Sequence, residues 1–103
     1  MTTFLVTRHP GAIDWARRNA VQFNVHLEHL PDLAQLKKGD CVVGTLPVNL
    51  VYQLNLIGVR YLHLALDIPQ HLRGIELTAE QLDACQAQLV EFCVSKVSRD
   101  TLC

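Results

Sequence analysis

Thr2-Thr3-Phe4-Leu5-Val6-Thr7-Arg8-His9-Pro10-Gly11-Ala12 and Cys41-Val42-Val43-Gly44-Thr45-Leu46-Pro47 decide the fold of this chain. Each begins as a short apolar or β-branched run without polar alternation, the pattern of a strand buried on both faces. Each then passes a threonine and reaches a proline, whose fixed φ and missing N–H suit the first turn of a helix. After Pro10, residues Ala12, Ile13, Trp15, Ala16 and Ala20 recur at helical spacing. After Pro47 a second apolar helix runs to a stop at Gly58. Strand, turn and helix therefore occur twice in the same order.

Between these units, Val25-His26-Leu27-Glu28-His29-Leu30 alternates apolar and polar residues and predicts a half-exposed strand at an edge. Pro31–Lys38 reads as a short helical connection and Gly39-Asp40 as a turn. Arg60–Leu66 predicts a fourth strand, and Asp67–Leu77 a polar loop containing proline. Thr78-Ala79-Glu80-Gln81 is a capping box, expected to open a long helix with Leu82, Cys85, Leu89 and Cys93 on its buried face. The expected architecture is α/β: a mainly parallel sheet of about four strands in the order 2-1-3-4, flavodoxin-like, with helices on both faces. Residues 1–97 are read as one domain and residues 98–103 as a C-terminal tail.

The bulk composition agrees with one small domain. The chain has 103 residues, 50% apolar and 18% charged, enough to bury a core and unlike a disordered segment. No stretch reaches the roughly 18 apolar residues of a membrane span, and the first residues read as a strand rather than a signal peptide. Cys41, Cys85, Cys93 and Cys103 form no C-x-x-C pair. Scattered thiols in apolar runs suit a reducing cytoplasm, with the first three expected to be buried. A net charge of −1 argues against coating long nucleic acid, which needs a broad basic face. A small anion in a local pocket needs far less.

With strands one and three adjacent, their helices leave on opposite faces and the two turns meet at a topological switch point. Both helix N-termini would turn free N–H groups and positive dipole ends into one crevice, a place suited to phosphate. Arg8 adds a planar fork of donors, and Thr7 and Thr45 add hydroxyls. As an imidazole, His9 can serve as general acid or base. His63 lies on the same strand face as Tyr61, where it reads first as a core or edge histidine; His26 and His29 read as exposed strand residues. No His, Cys or Asp spacing matches a metal site, and no G-x-G-x-x-G or P-loop is present, so neither a metal nor a cofactor is expected. In the Pro47–Ile57 helix, Val48, Leu50, Val51, Leu54, Leu56 and Ile57 cover more than one face. Burial against a second copy in a two-fold dimer accounts for that breadth.

Thr7-Arg8-His9-Pro10-Gly11-Ala12 with Trp15, Gly39-Asp40 with Gly44-Thr45-Leu46-Pro47, Arg60-Tyr61-Leu62-His63-Leu64, and Arg73-Gly74-Ile75-Glu76-Leu77 together resemble one family. It is the small CRISPR-associated accessory family called Csx-sixteen, found beside type III systems. The resemblance runs from about Thr2 to Val94 and departs at Asn49, where a histidine is common in that family. It implies a Rossmann-like, CARF-like domain acting as a ring nuclease. Such a protein binds a cyclic oligoadenylate, cyclic tetra-adenylate foremost, and cuts it without a metal to end the signal. The RNA ring supplies its own 2′-OH nucleophile. On this reading Arg8 and His9 are catalytic. Thr7, Pro10, Gly11, Gly44, Thr45, Leu46, Pro47, Asn49, His63, Arg73 and Glu76 contact the ligand, with Arg73 and Glu76 closing over it from their loop. A cyclic-oligoadenylate sponge without catalysis, a regulatory interaction module and a histidine-phosphatase-like enzyme remain alternatives. The last also begins strand, Arg-His, helix, with glycine where Pro10 stands.

Overall fold

A computed structural model describes residues 1–97; the tail expected at 98–103, with Cys103, lies outside the described residues. The elements are β1 (Thr3–Val6), α1 (Pro10–Arg18), β2 (Val25–Leu27), β3 (Cys41–Gly44), α2 (Val48–Leu56), β4 (Arg60–Ala65), α3 (Ala79–Ala84) and β5 (Gln88–Phe92). Single 3₁₀ turns at Leu33–Gln35 and Gln70–Leu72 punctuate the two long connections. One five-stranded sheet has the order β2-β1-β3-β4-β5. The first four strands run parallel, and β5 returns antiparallel to β4. The fold is therefore α/β with a mostly parallel sheet, and the expected order 2-1-3-4 holds within it.

The two faces are read from alternate residues of the central strands. Leu5, Cys41 and Val43 pack with Ala12, Trp15 and Ala16 of α1 and Ala79 and Leu82 of α3. Val6, Val42 and Tyr61 pack with Val51 and Leu54 of α2 on the other side. Every residue of β3 is buried, as its unbroken apolar run requires. On the first face, the Trp15 indole N–H donates to Asp83 Oδ1 at 2.8 Å and ties α1 to α3. Thr78 opens α3 through the capping box read from the sequence, with Thr78 Oγ1 accepting from the Gln81 amide and Gln81 Oε1 from the Thr78 amide.

The C-terminal part corrects the sequence reading. The helix opened by Thr78 ends at Ala84, and a fifth strand follows where a long helix was expected. Gln86 adopts a positive φ of 60°, which stops the helix, and the Ala87 amide donates back to Leu82 O at 3.0 Å. Leu82 and Cys85 are buried as expected, but Leu89 belongs to β5 and Cys93 is exposed. The open edge of β4 supplies a ladder of hydrogen-bond partners that outweighs the helical spacing of these residues.

Two contacts, one through a side chain and one between backbones, fix the frame. Asp40, buried at the start of β3, accepts from the Thr2 amide at 3.0 Å and the Lys37 amide at 2.9 Å, joining the starts of β1 and β3. A Cβ built at Gly11 would overlap the Leu77 carbonyl oxygen, so α1 meets the end of the 66–77 loop backbone to backbone.

The amide hydrogen bonds from Lys37 and then Thr2 hold the Asp40 carboxyl below its ordinary value. Its stabilising contribution is thus fully present above the unfolded-state pKa near 3.8 and is lost as pH falls through the lower folded-state value. Asp40→Asn keeps one acceptor and loses the charge. It is expected to lower the urea midpoint near pH 7 and to flatten the loss of stability below about pH 4. Urea titrations across that range check this, and an unchanged acid limb would refute it. Gly11→Ala is expected to cost about 1–3 kcal/mol of stability by forcing the 66–77 loop away from α1. Faster proteolysis within that loop should accompany the loss, and wild-type behaviour in both assays would contradict the contact.

Candidate functional site

β1 and β3 are neighbours with Val6 opposite Gly44, so the turns at Thr7–Pro10 and Thr45–Pro47 leave the same end of the sheet side by side. Their helices diverge, α1 to one face and α2 to the other. This is the switch point anticipated from the paired turns. Close approach is built in here, since a Cβ at Gly44 would come within 2.6 Å of Val6 O.

Neither helix N-terminus is closed by a side chain. His9 occupies the N-cap of α1 with Pro10 following, and Pro47 occupies that of α2; neither makes a side-chain cap bond. The first-turn amides of Gly11, Val48 and Asn49 consequently have no intrahelical acceptor and carry the positive ends of two helix dipoles. The Thr7 hydroxyl accepts from the His9 amide at 3.1 Å and shapes the turn. Arg8 is exposed at its apex, and among the described residues no ion pair engages it. The His9 imidazole, 58% exposed, places Nδ1 3.4 Å from Glu76 Oε1. That contact crosses from the first turn to the 66–77 loop.

Beneath these groups lies a cavity of about 170 Å³ between the sheet and the α1–α3 layer. Its polar lining side chains are Thr7, His9, Thr45 and Glu76. Leu5, Trp15, Val43, Leu64 and Leu82 form apolar walls, and Leu66, Ile68, Ile75 and Leu77 of the long loop cover it. His9, Thr45 and Glu76 are exposed, which makes them the mouth. The volume falls below the ~300–1,000 Å³ of pockets that take up a whole drug-sized ligand. It has room for one flat ring system.

Of the residues singled out from the sequence, Thr7, His9, Gly44, Thr45 and Glu76 come together around this cavity. Pro10 and Gly11 start α1 beside it. Leu46, Pro47 and Asn49 belong to the α2 side, with Asn49 exposed in the first helical turn. Arg73 does not line the cavity; its guanidinium Nε donates to Ile68 O at 3.4 Å within its own loop. His63 lies on β4 directly beside Gly44.

Two contributions were not read from the sequence. The His26 Nε2 lies 2.9 Å from Thr7 O and braces the first turn from the edge strand. The Tyr61 hydroxyl accepts from the Leu46 amide at 2.8 Å, donates to Gly44 O at 3.0 Å and stands 2.7 Å from His63 Nδ1. Burial, opposed by the Leu46 amide, pushes the Tyr61 hydroxyl pKa up, so it remains a neutral hydrogen-bonding hub for the second turn. The i, i+2 spacing of Tyr61 and His63 places them on one strand face, but the turn that they grip is visible only in three dimensions.

Comparison with known proteins adds a family. Residues 4–95 match the family described as "Putative CRISPR-associated protein (Cas_VVA1548)". No curated protein and no solved structure matches the chain. The matched span contains both switch-point turns, the 66–77 loop and all five strands except the first residue of β1. The chain belongs to the Cas_VVA1548 family of CRISPR-associated proteins.

Proposed function

We propose that this protein is a ring nuclease of the Csx-sixteen kind, with a CARF-like domain, acting in the cytoplasm on the cyclic oligoadenylates of type III CRISPR signalling. Cyclic tetra-adenylate is the foremost substrate. The observation that carries the reading is the meeting of two uncapped helix N-termini and the exposed Arg8 at one sheet end. Such a place favours a phosphodiester at small cost in protein charge. Membership of a CRISPR-associated family supplies the biological setting.

The chemistry asks little of the protein. The 2′-OH of one nucleotide attacks the adjoining phosphorus, the O2′–P bond forms and the P–O5′ bond breaks. The products are a 2′,3′-cyclic phosphate and a free 5′-OH. The crevice must turn the ribose so that attack is in line. Arg8 and the free amides then stabilise the charge that builds on the phosphorane oxygens. His9 moves a proton, with Glu76 orienting its ring through Nδ1. Because the cavity admits one ring system, the rest of the ligand lies across the open end of the sheet.

A ligand with rotational symmetry suits a two-fold protein. Val48 is 67% exposed, Leu56 65% and Ile57 40%, leaving the outer side of α2 apolar beside the second turn. A homodimer through that side would carry two crevices.

Two experiments test this reading. Purified protein in EDTA is expected to convert cyclic tetra-adenylate into linear products ending in a 2′,3′-cyclic phosphate, identified by mass. His9→Ala should slow cleavage by about a hundred- to ten-thousand-fold, and Arg8→Ala by about a hundred-fold or more. Tight binding of an intact ring would instead make the protein a sponge, and no binding would remove cyclic oligoadenylate from consideration. In sedimentation the protein should behave as a dimer at micromolar concentration. Leu56→Glu should raise the dimer dissociation constant by about tenfold or more, and a monomeric wild type would overturn the α2 interface.

A further inference from the structure

We propose that His63 is the proton acceptor of this site and Tyr61 its positioning residue, an inference that rests on the ring-cleavage reading above. Hydrogen-bond accounting fixes the imidazole tautomer. A tyrosine hydroxyl has one proton to donate and two lone pairs to offer. Tyr61 is 1% exposed, and its oxygen stands 3.0 Å from Gly44 O. Two oxygens that close need a proton between them, and a carbonyl has none to give, so the hydroxyl proton points at Gly44. The Leu46 amide takes one lone pair at 2.8 Å. What remains toward His63 Nδ1, at 2.7 Å, is a lone pair, so Nδ1 must carry the proton. In the neutral ring the bare nitrogen is then Nε2, a base.

That nitrogen is available. The hydrogen bond of His63 runs through Nδ1, and among the described residues no buried side-chain nitrogen or oxygen lacks a partner. The half-buried ring therefore presents Nε2 to solvent. Its position follows from the register, which sets His63 beside Gly44 at the start of the second turn. The Phe92 ring packs against the imidazole edge at 5.7 Å and, with Tyr61 at 5.8 Å, holds its plane.

His63 shares the sheet face of Tyr61, the α2 side, whereas His9 stands at the start of α1 on the other side. In-line displacement places the entering and leaving oxygens on opposite sides of phosphorus, so its proton acceptor and proton donor must also stand on opposite sides. The 2′-OH proton passes to His63 Nε2 as O2′ bonds to phosphorus, and protonated His9 gives its proton to the departing O5′. One proton is taken and one returned, and no further reactant is needed.

The test combines kinetics with a spectrum. His63→Ala is expected to lower the single-turnover cleavage rate of cyclic tetra-adenylate by about a hundred- to ten-thousand-fold while leaving its dissociation constant within a few-fold. Added imidazole should restore part of that rate. Tyr61→Phe should give a rate between wild type and His63→Ala, again with binding retained; thermal unfolding confirms that it folds. In ¹⁵N spectra of the free wild-type protein, neutral His63 should show a protonated Nδ1 and a bare Nε2, and Tyr61→Phe should mix the two tautomers. A wild-type protein that leaves the ring intact overturns the cleavage reading and this inference with it. Cleavage by wild type together with full-rate cleavage by His63→Ala, or a neutral His63 protonated at Nε2, overturns the inference and leaves the cleavage reading standing.

Discussion

The parallel pairing of β1 with β3 is the constraint on which the rest of this molecule depends. At one end the Asp40 carboxylate joins the two strand starts through the Thr2 and Lys37 amides. At the other, Gly44 lets the β3 backbone lie against Val6 O with no side chain between. Strands held at both ends deliver their turns side by side. The handedness of each crossover then sends α1 and α2 to opposite faces. The crevice is thus a product of topology, and its donors are largely backbone amides that any sequence compatible with the topology would present.

This explains why the first two-thirds of the fold was legible in the sequence. Unbroken apolar runs, threonine turns and helix-starting prolines act locally, and β1, α1, β3, α2 and β4 follow from them. The start of α3 was legible in its capping box, but its early end and β5 were not, because Leu82, Cys85, Leu89 and Cys93 fit helical spacing while Leu89-Val90-Glu91-Phe92 also fits a strand. The decision was made by the vacant edge of β4, a partner distant in sequence, and by Gln86, which accepts a left-handed conformation despite its side chain. The two-bonded pair of Arg60 with Glu91, at 2.8 and 2.9 Å, further fastens β5 to β4.

The site divides in the same way. Thr7, His9 and Thr45 were readable because turn position alone brings them to the switch point. Glu76 was named through the family resemblance alone, since its loop takes a course that depends on Gly11 meeting Leu77. The bond of Tyr61 to Leu46 and Gly44 requires the register of β4 against β3, which no local pattern encodes. A polar group that reports only on long-range register is invisible to periodicity, however plainly it sits in the chain.

The reversed direction of β5 also separates the two ends of the domain by task. Four strands point their C-termini at the crevice, whereas β5 carries the chain back past the start of β4, with Phe92 opposite Tyr61. Val94 and Lys96 beyond it are held on the flank of α2, where the Val94 amide donates to Asn55 Oδ1 at 2.7 Å and the Lys96 ammonium lies over the Tyr52 ring. The chain from Phe92 to Lys96 therefore lies toward the pole remote from the Thr7–Pro10 and Thr45–Pro47 turns. Closing the sheet with a reversed strand thus keeps the last described residues clear of the candidate site's entrance.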